Sequence, residues 1–208
     1  MALENKRRGK FITLEGVDGA GKSTLLPWIA GRLRRPGREI VVTREPGGTP
    51  LAEKLRALVL AETMDPLSET LLLFAARFDH VQKIILPALA RGAWVVCDRF
   101  TDATLAYQGG GKGVSADLIR RLAQSVHPDL TPDQTLVFDC PYDVSRSRLR
   151  ASGRTLDRFE AEEQAFFDRV RAAYREIAVA EPGRVRIIDG SQAPSEVKIA
   201  VEKHLLSD

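Results

Sequence analysis

A glycine-rich segment follows the first apolar run of the chain and ends in Lys22, Ser23 and Thr24. Its spacing fits the pattern G-x-x-x-x-G-K-[ST] of a phosphate-binding loop (P-loop), in which glycines let the backbone curl around phosphate oxygens. The helix that follows adds the positive end of its dipole, so the segment predicts a nucleoside triphosphate site, with Lys22 at the β- and γ-phosphates and Ser23 at Mg²⁺. The predicted ATP-binding residues are Gly16, Val17, Asp18, Gly19, Ala20, Gly21, Lys22, Ser23 and Thr24. A dinucleotide-binding loop is disfavoured because Lys-Ser-Thr stands where that fingerprint requires a third glycine.

Two further apolar runs end in polar side chains that could handle a second phosphate. Asp98 and Arg99 follow the run Trp94–Cys97. Asp98 could bind Mg²⁺-coordinated water or orient the attacking phosphate, and Arg99 could hold an acceptor phosphate. The alternative is that Asp98 and Arg99 form a structural ion pair at the end of the strand. Arg44 and Pro46 lie at the end of the second predicted strand and place an arginine and a rigid turn beside the P-loop. The alternative is a plain β-to-helix turn.

Two helical segments carry groups suited to a base and a sugar. Phe74 and Arg77 lie three residues apart on one helix face, where a ring and a guanidinium can stack on a base and bond its edge, although Phe74 alone could belong to the core. Thr104, Tyr107 and Gln108 supply a hydroxyl, a phenol and an amide on a helical turn that we expect to break at the three glycines 109–111.

An arginine-rich segment, residues 146–160, surrounds Gly153 between two predicted helices. Residues 17–20 of the P-loop contain no arginine, so a basic lid over the triphosphate could supply the missing cation and exclude water. An ordinary charged helix end is the alternative. The arginines of this lid are Arg146, Arg148, Arg150, Arg154 and Arg158.

Short β-rich runs alternate with long amphipathic segments, which predicts an α/β fold with a five-stranded parallel sheet flanked by helices. The predicted strands are Lys10–Glu15, Glu39–Arg44, Ala93–Asp98, Gln134–Asp139 and Val185–Asp189. The predicted helices are Ser23–Arg34, Leu51–Ala61, Pro66–Arg91, Ser115–Gln124, Asp143–Ala151, Glu160–Ala180 and Ser195–Leu206. Ligands collect at the carboxyl ends of such strands, which is where Gly16, Arg44, Asp98 and Asp139 fall.

The composition, with 44 % hydrophobic residues among 208, is typical of one domain, which we expect over residues 10–208 after a disordered basic arm, residues 1–9. No apolar stretch could span a membrane and no apolar segment follows the charged N-terminus, so we expect a cytoplasmic protein with Cys97 and Cys140 reduced in the core. The net charge is +3, and the basic residues are scattered among 28 acidic ones. This mixture argues against nucleic acid as a partner.

Taken in order, these motifs resemble bacterial thymidylate kinases over nearly the whole chain: the P-loop, R-E-P-G-G-T, F-A-A-R, D-R-F-T-D-A-T-x-A-Y-Q-G-G-G and a lid ending in D-R-F-E. The resemblance implies a P-loop nucleoside monophosphate kinase fold and Mg²⁺-dependent transfer of the ATP γ-phosphate to dTMP, by a homodimer that feeds dTTP synthesis. The implied dTMP-binding residues are Asp18, Arg44, Pro46, Phe74, Arg77, Arg99, Thr104, Tyr107 and Gln108. The implied catalytic residues are Lys22, Asp98, Arg99, Arg150 and Arg154, with Ser23 and Asp98 at the metal.

Some members of that family have the stacking phenylalanine four residues before the helix arginine, where this chain has Leu73, so either Leu73 or Phe74 could contact the base. A kinase for another monophosphate (UMP/CMP, AMP or GMP) is the main alternative. A P-loop ATP switch is a second one, but it leaves Phe74, Arg77 and Arg99 unexplained. For the dimer face, the segments 71–76 and 103–106 are both candidates.

Overall fold

The computed structural model describes residues 8–153, 157–160 and 162–206. Five strands in this part of the chain form one parallel sheet: β1 (Phe11–Gly16), β2 (Ile40–Arg44), β3 (Trp94–Asp98), β4 (Gln134–Asp139) and β5 (Val185–Asp189). Their order is β2-β3-β1-β4-β5. All five predicted strands are therefore confirmed, with bounds that differ by at most one residue. The three central strands are buried almost throughout, whereas β2 and β5 at the edges are partly exposed.

Nine α-helices connect the strands in the described residues. They are α1 (Lys22–Leu33), α2 (Pro50–Ala61), α3 (Pro66–His80), α4 (Leu86–Ala90), α5 (Thr101–Thr104), α6 (Ala116–Val126), α7 (Tyr142–Ala151), α8 (Gln164–Ala180) and α9 (Pro194–His204). A π-helical segment, Val81–Ile85, joins α3 to α4, so the long helix predicted from Pro66 is continuous but not regular. Asp65 caps α3, because its carboxylate accepts the N–H of Leu67 at 2.8 Å.

The helical turn predicted to break at the three glycines extends through the first two and ends at the third, Gly111. A second π-helical segment, Leu105–Gly111, runs through all of them and packs against α8. A Cβ on Gly110 would lie 2.6 Å from Cβ of Ala173, and one on Gly111 would lie 2.4 Å from Cε2 of Phe166. The glycines therefore allow close packing between two helical segments, and the first segment ends only at the last glycine.

The start of α8 also differs from the prediction, which placed it at Glu160. The Asp157 carboxylate accepts the backbone N–H groups of Phe159 and Glu160, each at 3.0 Å. Such side-chain bonds to the backbone favour a turn over a helix. The helix accordingly begins at Gln164.

Helices cover both faces of the sheet, and each face has its own apolar cluster. The larger cluster joins β1 and β4 to α1, α8 and α9, while the smaller one joins β3 to α4 and its π-helical segment. Cys97 and Cys140 are buried free thiols, as expected for structural cysteines. No helix of the described residues is long and apolar enough to cross a membrane.

The predicted N-terminal arm lies largely outside the described residues, which exclude 1–7. Arg8 and Gly9, which the prediction assigned to the arm, contact the domain: Arg8 pairs with Asp133 at 3.4 Å, and the N–H of Gly9 bonds the carbonyl of Leu89 at 3.0 Å.

Candidate active site

The P-loop connects the buried end of β1 to the first turn of α1. Gly19 within it has a φ of 75°, and a Cβ there would lie 2.6 Å from the Ser145 carbonyl oxygen, so the loop can pass under α7 only with glycine at this position. Lys22 is buried and its Nζ donates to the carbonyl oxygens of Gly16 and Val17 at 2.8 and 2.9 Å. Burial, and then the charge of Arg99, lowers the pKa of Lys22 from 10.5. The ammonium is thus held inside the loop, where a triphosphate would be gripped.

Arg99 stands at the centre of the site, at the carboxyl end of β3. Its Nη2 donates to Asp18 Oδ1 at 2.6 Å and to the Tyr107 hydroxyl at 3.0 Å, and Tyr107 donates to Asp18 Oδ2 at 3.0 Å. Although burial disfavours its charge, the carboxylate of Asp18 raises the pKa of Arg99. Burial likewise opposes ionisation of Asp18, but Arg99 and Lys22 lower its pKa from 3.8 to about 2. Both charges are therefore present at neutral pH.

The backbone at Arg99 is in the left-handed region, with a φ of 71°. A non-glycine residue rarely adopts this conformation, and where it does, neighbouring bonds must hold it there. The N–H of Arg99 donates to the carbonyl of Leu14 at 2.9 Å, and the next N–H, of Phe100, donates to the buried carboxylate of Glu15 at 2.7 Å. These two bonds fix the direction in which Arg99 leaves the sheet.

Arg77 on α3 is the second buried arginine of the site. Its Nε donates to Glu45 Oε2 at 2.6 Å, and its Nη2 donates to the Phe100 carbonyl at 3.1 Å and to the Thr104 hydroxyl at 3.0 Å. The other oxygen of Glu45 lies 2.9 Å from Nδ1 of His80. Burial disfavours the ionised form of Glu45, but Arg77 and then His80 lower its pKa. Nη1 of Arg77 is buried and has no hydrogen-bond partner within the described residues, so one strong donor is left for a ligand.

These groups line two neighbouring cavities. The inner cavity lies between α2, α3 and the segment that follows β3, and it contains Arg77, Phe100, Thr104 and Gln108. The loop cleft is lined by the P-loop, Asp98, α7 and the first turn of α9. Asp18, Glu45, Arg56, Arg99 and Asp157 line both cavities, so a group bound in one cavity can meet a group bound in the other beside the paired Asp18 and Arg99.

Most of the predicted acceptor-side residues lie together. Those that line the inner cavity are Asp18, Pro46, Arg77, Arg99, Thr104, Tyr107 and Gln108. Arg44 instead lines the loop cleft, where its Nη2 pairs with Glu53 at 3.0 Å. Phe74 is buried behind Arg77, with its ring 4.7 Å from the guanidinium carbon, and it does not line the cavity. Leu73 occupies the wall in its place.

The residues predicted to hold Mg²⁺ lie at the loop cleft. Oδ1 of Asp98 is buried and accepts no hydrogen bond from the described residues, and Ser23 is exposed in the first turn of α1. No cluster of three metal-ligating side chains occurs in this part of the chain. Mg²⁺ bound through one carboxylate, one hydroxyl and substrate phosphates needs no such cluster, so the residues fit the ion.

The predicted lid arginines divide into fixed and exposed ones. Nη1 of Arg148 donates to the carbonyl of Gly190 at 2.6 Å, and Arg146 donates to the carbonyl of Glu160. Arg158 reaches across to α3, where it pairs with Glu69. Arg150 is exposed and forms no ion pair with the described residues, while Arg154 lies outside them. Arg150 is therefore the described lid arginine whose charge is still available to a ligand.

Several residues of the site carried no assignment from the sequence. Glu45, Phe100, Asp157 and Phe159 line the inner cavity, and Glu69 lies directly behind it. A usable signal existed for Glu69 and His80, because both share the apolar face of α3 with Leu73 and Arg77 at helical spacing. Polar residues on a buried helix face are expected to be paired, and here they are.

Comparisons with known proteins agree on one family. The family model described as Thymidylate kinase matches residues 14–201. A thymidylate kinase from Bordetella pertussis is 62 % identical over 190 residues, 91 % of this chain and 90 % of that protein. One from Nitrosomonas europaea is 56 % identical over 197 residues, 94 % of this chain and 91 % of its own length. The crystal structure of thymidylate kinase from Ehrlichia chaffeensis superposes with a TM-score of 0.78 at 37 % identity, covering 95 % of this chain and 98 % of that one.

Proposed function

Since this chain belongs to the thymidylate kinase family and phosphorylates dTMP with ATP, we propose that the inner cavity binds dTMP and the loop cleft binds ATP. The observation that carries this assignment is the wall that the two cavities share, formed by Asp18, Glu45, Arg56, Arg99 and Asp157, in which Asp18 and Arg99 are paired. Phosphoryl transfer needs the acceptor phosphate and the γ-phosphate side by side. The junction of the cavities supplies that position, with a guanidinium already in place.

On the acceptor side, Arg99 holds the phosphate of dTMP. Its charge and fork geometry suit a bidentate contact with phosphate oxygens. Asp18 and Tyr107 keep the guanidinium of Arg99 oriented. Both accept hydrogen bonds from Nη2, and the ring of Tyr107 lies 4.7 Å from the guanidinium carbon. At the far end of the cavity, the unpaired Nη1 of Arg77 donates to a carbonyl of the base. Leu73 and Phe100 bound this end of the cavity, and Phe74 supports Arg77 from behind.

On the donor side, P-loop N–H groups and Lys22 bind the triphosphate. Lys22 exchanges the carbonyls of Gly16 and Val17 for phosphate oxygens, which offer a full charge in place of two dipoles. Asp98 and Ser23 would hold Mg²⁺, which supplies charge neutralisation between the β- and γ-phosphates when bound. Arg150, from the lid, meets the charge that develops on the transferred group.

The acceptor assignment is tested by measuring ADP release from ATP with each nucleoside monophosphate in turn. We expect dTMP to be used far better than CMP, AMP or GMP, because the cavity is closed at the base end by Arg77 and α3. Turnover of a purine monophosphate at the same rate would contradict the assignment. A reaction without any monophosphate serves as the control for plain ATP hydrolysis.

We also propose a homodimer that associates through the outer face of α3. Leu67, Leu71 and Phe78 lie within about 40° of one another around this helix and are 42 %, 49 % and 50 % exposed. Three large apolar side chains on one exposed helix face are typical of an interface. Sedimentation equilibrium of Leu71→Glu should show a monomer, while Ile199→Glu on α9, a more exposed apolar position, should leave the dimer intact. Equal masses for wild type and Leu71→Glu would contradict this face.

A cytoplasmic location is the last part of this proposal. The buried free thiols of Cys97 and Cys140 suit a reducing compartment, and dTMP and ATP are both found there. Fractionation of cells that express the tagged chain tests it, with a known cytoplasmic protein as the reference.

A further inference from the structure

A carboxylate on α3, that of Glu69, is fully buried directly behind the inner cavity. Its Oε1 accepts a hydrogen bond from Nε2 of Gln108 at 2.7 Å. Its Oε2 accepts from Nζ of Lys112 at 2.9 Å and pairs with Arg158 of the lid. Glu69 itself does not line the cavity, so whatever it does to a ligand it does through these three side chains.

The bond to Gln108 determines which end of that amide faces the cavity. A carboxylate whose other oxygen already holds two cationic groups offers only an acceptor to the amide, so the NH₂ group of Gln108 must point at Glu69. The carbonyl oxygen Oε1 then points away from Glu69. Gln108 lines the inner cavity, and no donor of the described residues bonds its Oε1. The cavity therefore receives an acceptor from Gln108 and not a donor.

Arg77 contributes the opposite group to the same cavity, because its buried Nη1 is a donor without a partner in the described part of the chain. Thymine and uracil present a carbonyl oxygen, O4, beside an N–H, N3. Cytosine presents the reverse, an amino group beside an unprotonated ring nitrogen. The donor from Arg77 and the acceptor from Gln108 therefore match the edge of thymine or uracil, and they oppose the edge of cytosine at both atoms.

We propose that Glu69 is a positioning residue that sets the base specificity of this kinase by locking the amide of Gln108 with its carbonyl toward the base. The inference rests on the proposed function, in which the inner cavity holds dTMP. A monophosphate of cytosine would place an acceptor against Oε1 of Gln108 and a donor against Nη1 of Arg77. Sites built to bond a particular polar group discriminate strongly against an analogue that leaves that group unpaired.

The decisive variant is Glu69→Gln. An amide at position 69 can donate to Oε1 of Gln108, which permits Gln108 to turn its NH₂ group toward the cavity. We expect the ratio of kcat/KM for dTMP to that for dCMP to fall by roughly tenfold or more. The ratio for dTMP over dUMP should stay within about twofold, because uracil has the same hydrogen-bonding edge as thymine. A purely structural role would lower all three values together and leave both ratios unchanged.

Two companion variants keep the test informative if Glu69→Gln folds poorly, which a thermal melt would show. Gln108→Ala removes the acceptor itself and should lower the dTMP to dCMP ratio in the same direction. In that background, Glu69→Gln should have no further effect on the ratio, as expected for residues that act as one unit. Arg158→Gln, by contrast, removes the contacts of Arg158 with Glu69 and with the carbonyl of Val59 but leaves the bond between Glu69 and Gln108, so it should lower activity toward all three monophosphates without changing their ratios.

Failure of this inference can be told apart from failure of the proposed function. A wild-type enzyme that uses dCMP as well as dTMP would overturn the assignment of the inner cavity. A wild-type enzyme that strongly prefers dTMP, with a ratio that survives both Glu69→Gln and Gln108→Ala, would overturn the role of Glu69 alone.

Discussion

The inner cavity and the loop cleft meet at Asp18 and Arg99, yet the groups that would bind ligand are held in different ways. In the inner cavity they are side chains fixed by other buried side chains, as Arg77 is by Glu45 and Gln108 by Glu69. In the loop cleft they are backbone N–H groups of the P-loop together with exposed side chains such as Ser23 and Thr24. The first arrangement is rigid and specific in shape, whereas the second includes side chains that no buried neighbour fixes.

This difference matches what each substrate requires. A base is identified by the direction of a few donors and acceptors, so these must be fixed before it binds. A triphosphate is held by charge, which several mobile cations can supply as transfer proceeds. Fixing an arginine in a buried site has a cost, because Arg77 and Glu45 are both 3 % exposed and must remain paired.

The largest effect is expected where that buried pairing is broken. Glu45→Ala leaves Arg77 and His80 without their shared carboxylate, and removing one partner of a buried ion pair typically costs about 3 to 5 kcal/mol. Urea denaturation should therefore show a large loss in the free energy of unfolding. Glu53→Ala removes a half-exposed carboxylate in the neighbouring helix and should change it little. Similar losses for the two variants would mean that the inner cavity is no more rigidly held than the surface.

Next in size is the loss of Arg99, which lines both cavities and pairs with Asp18. A charge-assisted, bidentate phosphate contact is worth about 2 to 4 kcal/mol in the transition state, so Arg99→Ala should lower kcat/KM for dTMP roughly 30-fold to 1,000-fold. Arg91→Ala, which removes an exposed arginine paired with Glu39, should leave steady-state kinetics unchanged. Native kinetics for Arg99→Ala would show that Arg99 is only the structural partner of Asp18.

A smaller effect should separate the fixed lysine of the P-loop from the lid. Arg150 is exposed, and under the proposed function it contacts ATP only when the lid closes, so Arg150→Ala should depress kcat by tenfold or more, about 1.4 kcal/mol, with little change in KM for ATP. Lys22→Ala should raise KM for ATP as well, since Lys22 contacts the phosphates before the lid closes. Both constants are measured at saturating dTMP, with Arg121→Ala on α6 as an exposed control.

If Arg150→Ala kept its full kcat, the cation for the transferred group would have to come from another residue. Arg154→Ala is the first variant to measure in that case.

The sequence predicted the parts of this site that depend on local pattern. Buried parallel strands were recognisable from continuous apolar runs, and the polar residues that follow them, such as Arg99 after β3, were correctly expected at one edge of the sheet. The P-loop was equally clear, because its spacing is set by phosphate geometry and not by the rest of the fold.

Contacts between distant segments could not be predicted in the same way. Helical periodicity puts Leu73 and Phe74 on one broad face, but only packing against the segment after β3 decides that Leu73 reaches the cavity. The glycines at 109–111 suggested a break, because nothing in the local sequence shows that α8 packs directly against them. Glu69 was missed for a related reason: its three partners lie at least 39 residues away in the chain.

The last prediction concerns the buried carboxylate that links the two regions, and its effect appears in the pH dependence of stability. Glu15 precedes the P-loop, and its oxygens accept hydrogen bonds from the N–H of Phe100 in the inner cavity and the hydroxyl of Tyr174, each at 2.7 Å. Burial, and then the carboxylate of Asp102, raises the pKa of Glu15 from 4.5 to about 8. Between these values the folded chain holds a proton that the unfolded chain has released, so stability falls as pH rises from about 4.5 to 8. One such group contributes a slope of at most about 1.4 kcal/mol per pH unit.

Glu15→Gln, which mimics the protonated form, should lack this slope. Its free energy of unfolding should therefore rise relative to that of wild type between pH 5 and 8. Urea denaturation at each pH measures the difference, with Glu176→Gln, an exposed carboxylate on α8, as the control that should follow wild type. Parallel pH profiles for wild type and Glu15→Gln would mean that Glu15 is ionised throughout, and that the junction of the two cavities rests on a permanent buried charge.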